Sequence, residues 1–406
     1  MAIVNTPIAY AKVIAQGLEY DQYISESKQI IHVLMINPNQ VILKPIHAND
    51  KVQGLETVAS LARQENAIAA INGGFFRMGE KVDGLPAGIL KIAGRWFGVA
   101  YGLHGAIGWS LINPEAGSNE QRMNSANSVN GANSVNDANS VNSMNSVNSM
   151  NNSQSLKVLM DRVQTKTSLE MNGYKFPVQG VNQPGTPSKT ILYTHAYGSK
   201  PDSVAGGTDI IIQNGKIQAI VPAGEATIPA GGFVYAIGPK AKCPNTPLVL
   251  GAIAKVQIKV NPAFKKNDSE DWQRIDNIVG GIPLLIENGR ILQDYSQERM
   301  QASFAYQQHA RTAIGILSSG HWIVAVVEKS QITSSPGMTL LELSNFLQKL
   351  GCHMALNLDG GGSSTLYLEG KIINNPENEL DETICLPIAR RIGDAILVLP
   401  KGNSTP

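Results

Sequence analysis

The stretch 354–368 reads MALNLDGGGSSTLYL, and it carries more information than any other segment of the chain. Apolar runs flank a carboxamide, a carboxylate, three glycines and three hydroxyls. This is the pattern of a buried strand that enters a tight polar turn and leaves as a second strand. In extended geometry alternate side chains share a face, so Asn357 and Asp359 point one way while Met354, Leu356 and Leu358 point the other. Gly360, Gly361 and Gly362 remove every Cβ from the turn, so its backbone can approach a ligand closely. Ser363, Ser364 and Thr365 add hydroxyl donors. The reading is a site for an oxygen-rich ligand such as a phosphate or a sugar, against the blander reading of a glycine-rich bend with a capping Asp.

Working outward, Thr339 and Glu342 form a T-x-x-E capping box. Leu340, Leu343, Leu347 and Leu350 follow at helical spacing, and Gly351 ends the helix. A second helix is expected from about 55 to 66, with Leu55, Val58, Leu61 and Ala62 as its apolar stripe. It feeds a short buried strand, 67–71, that ends in Asn72-Gly73-Gly74. Elsewhere strands dominate. Residues 30–36 and 41–43 read as a hairpin around Asn37-Pro38-Asn39, and Asn214-Gly215, Asn288-Gly289 and Glu369-Gly370 mark further turns. The expected fold class is α+β, with mixed, mainly antiparallel sheets and packed helices. Residues 1–53 form a strand-rich N-terminal section and 54–400 one domain. That domain is interrupted at 115–155 by an Asn/Ser-rich segment with a six-residue repeat, which carries too few apolar side chains to offset its ordering entropy.

Composition narrows the function classes. In 406 residues the formal charge is +1 and only 16% of residues are charged, so neither nucleic acid nor an anionic membrane is the expected partner. No apolar run reaches the ~20 residues of a membrane span, and residues 1–24 show no secretory signal pattern. Cys243, Cys352 and Cys385 are widely spaced, with no zinc-type spacing. Nucleophile-elbow, P-loop, zincin and dinucleotide fingerprints are absent from the sequence. The seven histidines show no ligand spacing; His104 and His195 stand out only because glycine-rich turns surround them. No metal and no cofactor is expected.

Five motifs, INGGFF at 71–76, VGGIPLLIENG at 279–289, ARTAIGI at 310–316, PGMTLLEL at 336–343 and ALNLDGGGSSTLYL at 355–368, together resemble the phosphodiester glycosidase family. The closing R-x-G-D-A-I-L-V, Arg391 to Val398, resembles that family's last arginine and strand. The likeness runs in order from about 54 to 399. Two positions depart from the pattern: Ala310 stands where the family commonly has Pro, and Glu328-Lys329-Ser330 where it commonly has Asp-Gly-Arg. The resemblance implies hydrolysis of a small-molecule or polysaccharide-linked sugar-1-phosphodiester to free sugar and a phosphomonoester, in an extracytoplasmic setting. In that reading Asp359 is the carboxylate beside the anomeric carbon, and Arg311 grips the phosphate with its planar fork. Arg391 is a second cation. Gly73, Gly74 and Gly360–Gly362 offer main-chain donors, while Asn72 and Asn357 orient sugar hydroxyls. A second carboxylate is open among Asp83, Asp276 and Glu287. Two other classes stand beside this one: a carbohydrate- or nucleotide-binding module without turnover, and a metal-dependent phosphoesterase.

Overall fold

Short apolar runs separated by Asn-Gly and related turns build strands rather than helices throughout this chain. The computed structural model describes residues 11–79, 82–112, 155–244, 246–264, 269–375, 379–380 and 387–401. The Asn/Ser-rich segment lies outside the described residues except for Ser155, as does Cys385. Among the described residues, strand accounts for 46% and helix for 12%. This corrects the α+β expectation: the protein is β-rich, with curled antiparallel sheets. The two amphipathic helices do form, but as short caps on sheets. α1 is Val58–Gln64, with Thr57 accepting from Ser60 N at 3.2 Å. α2 (Ser269–Arg274) and α3 (Ala302–Tyr306) are shorter still. α4, Leu340–Lys349, carries the capping box expected of Thr339 and Glu342. Periodicity made these helices conspicuous in the sequence; the sheets hold most of the core.

Two compact units divide the chain. The first comprises residues 1–110, 158–166 and 258–406 and holds every element of the candidate site. Its larger sheet has eight strands in the order Lys12–Ala15, Leu18–Ile24, Ile30–Ile36, Trp322–Val327, Arg311–Leu317, Cys352–Asn357, Leu284–Glu287 and Arg290–Ile291. Every neighbouring pair is antiparallel. α3 and α4 cover one face, where Leu340, Leu343, Phe346 and Leu347 meet Ile31, Val33, Ala313 and Ile323. A five-stranded sheet runs Lys371–Ile372, Leu366–Leu368, Ala69–Asn72, Asp394–Pro400 and Val41–His47, also antiparallel throughout. α1 packs on it through Val58, Leu61 and Ala62. Leu34, Ile36 and Val324 of the larger sheet share an apolar cavity with Ala70, Ile71 and Ile396 of the smaller one, so these faces bury each other.

The second unit, 111–157 and 167–257, contains a five-stranded sheet of Gly180–Val181, Thr190–Thr194, Gly232–Ile237, Thr208–Gln213 and Lys216–Pro222. Its Asn214-Gly215 turn takes positive φ at both residues and joins the last two strands as a hairpin, as the sequence indicates.

Two local expectations change in a way that matters for the site. Strands Ile30–Ile36 and Val41–His47 do not pair with each other: the Asn37-Pro38-Asn39 turn passes the chain from the larger sheet to the smaller. The Gly360–Gly362 turn does the same, since Cys352–Asn357 belongs to the larger sheet and Leu366–Leu368 to the smaller. It is a crossover between packed sheets, not a hairpin bend.

Candidate active site

Where the chain crosses between sheets, strand ends from both converge. Asn72 closes the strand Ala69–Asn72 and ties the crossover down. Its Nδ2 donates to Asp359 O at 2.8 Å, and its Oδ1 accepts from Thr312 Oγ1 at 2.8 Å and Thr365 N at 3.3 Å. Thr312 Oγ1 also reaches Ser364 Oγ at 3.2 Å. Asp359 N donates to Gly73 O at 3.2 Å, and Asn357 Nδ2 donates to Ile282 O at 2.6 Å and Leu358 O at 2.8 Å. Asn72 is thus a cross-link whose polar atoms are engaged within the protein. Asn357 keeps one group over: its buried Oδ1 has no hydrogen-bond partner among the described residues, and neither does Thr365 Oγ1.

The glycine turn uses most of its own donors. Gly360 N donates to Asp359 Oδ1 at 2.9 Å, Gly361 N to Ala310 O at 2.9 Å, Ser363 N to Gly360 O at 3.2 Å and Ser364 N to Gly361 O at 3.0 Å. A buried backbone must satisfy itself in this way. Gly362 N–H is the exception in the turn, with no acceptor among the described residues. A Cβ at Gly362 would lie 2.7 Å from the Arg390 guanidinium carbon, so the Arg390 side chain would have to shift to admit one. Arg390 therefore lies flat against the turn beside that N–H.

Arg390 was not singled out by the sequence reading; Arg311 and Arg391 were. Arg311 is fully buried. Its Nε donates to Met338 O at 3.0 Å, and its Nη2 donates to Phe304 O at 2.7 Å and Gln307 O at 3.0 Å, under the Phe304 ring. That geometry clamps α3 to the segment before α4. Arg391 is exposed. Arg390 is partly buried, makes no hydrogen bond or ion pair among the described residues, and its charge draws the Asp359 pKa down.

Asp359 is nonetheless pushed up to about 6: burial outweighs the Ser363 hydroxyl, the Gly360 N–H and Arg390, which all favour the ionised form. The Ser363 effect is one of proximity, since its Oγ makes no hydrogen bond of standard geometry. A second carboxylate sits close by, and it is none of the three anticipated. Asp83 accepts from Gly79 N, Asp276 from Ser110 Oγ, and Glu287 ends a strand; none of them lines the pocket. Asp394 does. It opens the strand Asp394–Pro400, is 2% exposed, and accepts from Gly74 N at 3.0 Å. Its main-chain oxygen accepts from Gly73 N at 2.8 Å, and any Cβ at Gly73 would collide with the Asp394 carboxylate. Burial first, and the Asp359 charge second, push its pKa up to about 7. Asp394 shares a pocket with Phe75, Pro86, Ile89, His104 and Gly280–Ile282. There the His104 imidazole is held below its ordinary pKa by burial and by Arg299. His195 lies in the second unit.

Glu328, at the departure from the family pattern, is a buried node. It accepts from His32 Nε2 at 2.9 Å, Asn375 N at 2.8 Å and Thr333 Oγ1 at 3.0 Å. Among the described residues no three His, Cys, Asp or Glu side chains gather as metal ligands, and no helix is long and apolar enough to cross a membrane.

The sequence matches the model of the phosphodiester glycosidase family over residues 206–399. A curated relative is bovine (Bos taurus) N-acetylglucosamine-1-phosphodiester α-N-acetylglucosaminidase, 31% identical over 116 residues, which is 26% of this chain and 22% of that enzyme. The match thus spans about a fifth of the relative's length. A hypothetical protein from Synechocystis shares the fold at a TM-score of 0.71 and 22% identity, covering 98% of this chain and 64% of that one. A putative exported protein from Burkholderia pseudomallei does so at 0.67 and 19%, covering 92% and 74%. The pieces contributed by Asn72–Gly74 and His104 lie outside the stretch that the family model matches, although they fold against it. Residues 206–399 of this chain are thus similar to the phosphodiester glycosidase domain.

Proposed function

We propose that this protein hydrolyses the glycosidic bond of a sugar-1-phosphodiester, giving a free sugar and a phosphomonoester. One observation carries the reading: a carboxylate, a guanidinium and an unengaged main-chain N–H meet at the side-chain-free turn 360–362. A phosphodiester is a monoanion with two non-bridging oxygens, which suits a planar fork and an adjacent N–H. Arg390 and Gly362 take those roles. Asp359 then faces the anomeric carbon and stabilises the positive charge that develops as the C–O bond breaks. Asn357 Oδ1 and Thr365 Oγ1, both buried, are the polar groups left to meet sugar hydroxyls. The supporting likeness is the phosphodiester glycosidase match, and the bovine relative acts on an N-acetylglucosamine-1-phosphodiester.

The test is release of reducing sugar from a panel of sugar-1-phosphodiesters and nucleotide-linked sugars. Wild type is expected to turn over at least one of them and Asp359→Asn to lose that activity. Equal rates for the two proteins remove Asp359 from the chemistry. Tight binding without product makes the domain a binding module instead.

A further inference from the structure

We infer that Asp394 is the proton-carrying residue of this site, acting first as acid toward the leaving phosphate and then as base toward water. The inference rests on the hydrolytic reading and names the second group that reading needs. Position comes first. Asp394 lines the same pocket as Gly74 and Gly280, with one carboxylate oxygen fixed by Gly74 N and the side chain packed against Gly73, where a Cβ would collide with it. Asp359 is near enough that its charge acts on Asp394. Two carboxyl groups in one buried site do not both ionise easily, so near neutral pH they share a proton. Arg390 decides which holds it, because its charge favours ionised Asp359. The remaining titratable neighbours do not compete. His47, paired across from Asp394 on the strand Val41–His47, turns its nitrogens to Ala48 O and Gly84 O. Burial and Arg299 lower the His104 pKa, and Arg391 is exposed.

The step balances without any further reagent. The C1–O bond breaks with its electron pair going to the phosphate oxygen, which takes the Asp394 proton. Water adds its oxygen to C1 opposite the stabilising Asp359 charge and returns a proton to the Asp394 carboxylate. The net reaction consumes one water and leaves both side chains as they began.

The prediction is a bell-shaped pH profile of kcat/KM. Its acid limb reports ionisation of the pair's first member near pH 6 and its alkaline limb loss of the Asp394 proton near pH 7. Asp394→Asn preserves the acceptor for Gly74 N. It should lower kcat roughly 100- to 10,000-fold with KM little changed, and flatten the alkaline limb. An active wild type with no alkaline limb, or an Asp394→Asn variant with the wild-type profile, overturns the assignment while leaving the hydrolytic reading standing. A wild type that releases no sugar from any substrate overturns both. The wild-type profile decides the matter even should the variant fail to fold.

Discussion

Replacing Asp394 by Asn should stabilise the protein at neutral and alkaline pH and do little for it in acid. The carboxyl is raised from 3.8 to about 7 by burial and by the Asp359 charge. At 1.36 kcal/mol per unit, holding it ionised in the folded state costs on the order of 4 kcal/mol. The sign follows from proton linkage. Below about pH 4 the group is protonated in both the folded and the unfolded chain, and nothing is lost. Between about 4 and 7 the unfolded chain releases the proton and the folded one keeps it, so stability falls as pH rises. Above 7 the penalty is constant. Asn carries no such penalty and can accept the same hydrogen bond from Gly74 N. The advantage of the variant over wild type should therefore grow by about 3–4 kcal/mol between pH 4 and pH 8, a gain of several degrees in melting temperature. Melting curves of both proteins across that range, read as a difference at each pH, make the assay. A difference that stays constant from pH 4 to pH 8 refutes the reasoning, because any merely structural effect of the substitution is independent of pH.

Three other substitutions separate scaffold from site. Arg311→Lys leaves one ammonium where a fork serves three main-chain carbonyls; it should cost about 2–3 kcal/mol in unfolding experiments while KM stays near wild type. Arg390→Met should do the opposite, raising KM roughly 10- to 100-fold with little change in melting temperature, since Arg390 makes no hydrogen bond or ion pair among the described residues. Gly73→Ala places a methyl group on the Asp394 carboxylate, 2.9 Å from its Cγ; a loss of about 1–3 kcal/mol in stability, seen by thermal melting, should accompany a fall in kcat.

Local grammar was legible in the sequence wherever it was chemically unambiguous. The Thr339/Glu342 box, the Asn214-Gly215 and Glu369-Gly370 turns and the apolar stripe of α4 all sit where their residues indicate. What the sequence concealed was pairing at long range. Nothing in Asn37-Pro38-Asn39 or Gly360–Gly362 tells a hairpin from a crossover, because both demand a tight polar turn; only the partners of the flanking strands distinguish them. The same ambiguity blurred the site. Arg311 and Arg390 each border an apolar strand or turn, yet one folds inward onto carbonyls and the other lies on the turn, a difference set by packing rather than by residue type. Asp394 did leave a signal: it is a carboxylate at the head of the otherwise apolar Ala395–Leu399, all of it in a strand whose first five residues are buried. A charge placed there is expensive unless a function or a partner retains it.

The measurement closest to the core of this account is a structure of the protein with a non-hydrolysable sugar-1-phosphonate. Its phosphonate oxygens should meet the Arg390 guanidinium and Gly362 N–H, and its anomeric carbon should face Asp359. A phosphonate seated against Arg391 or elsewhere on the surface, with the 360–362 turn left bare, would contradict the account.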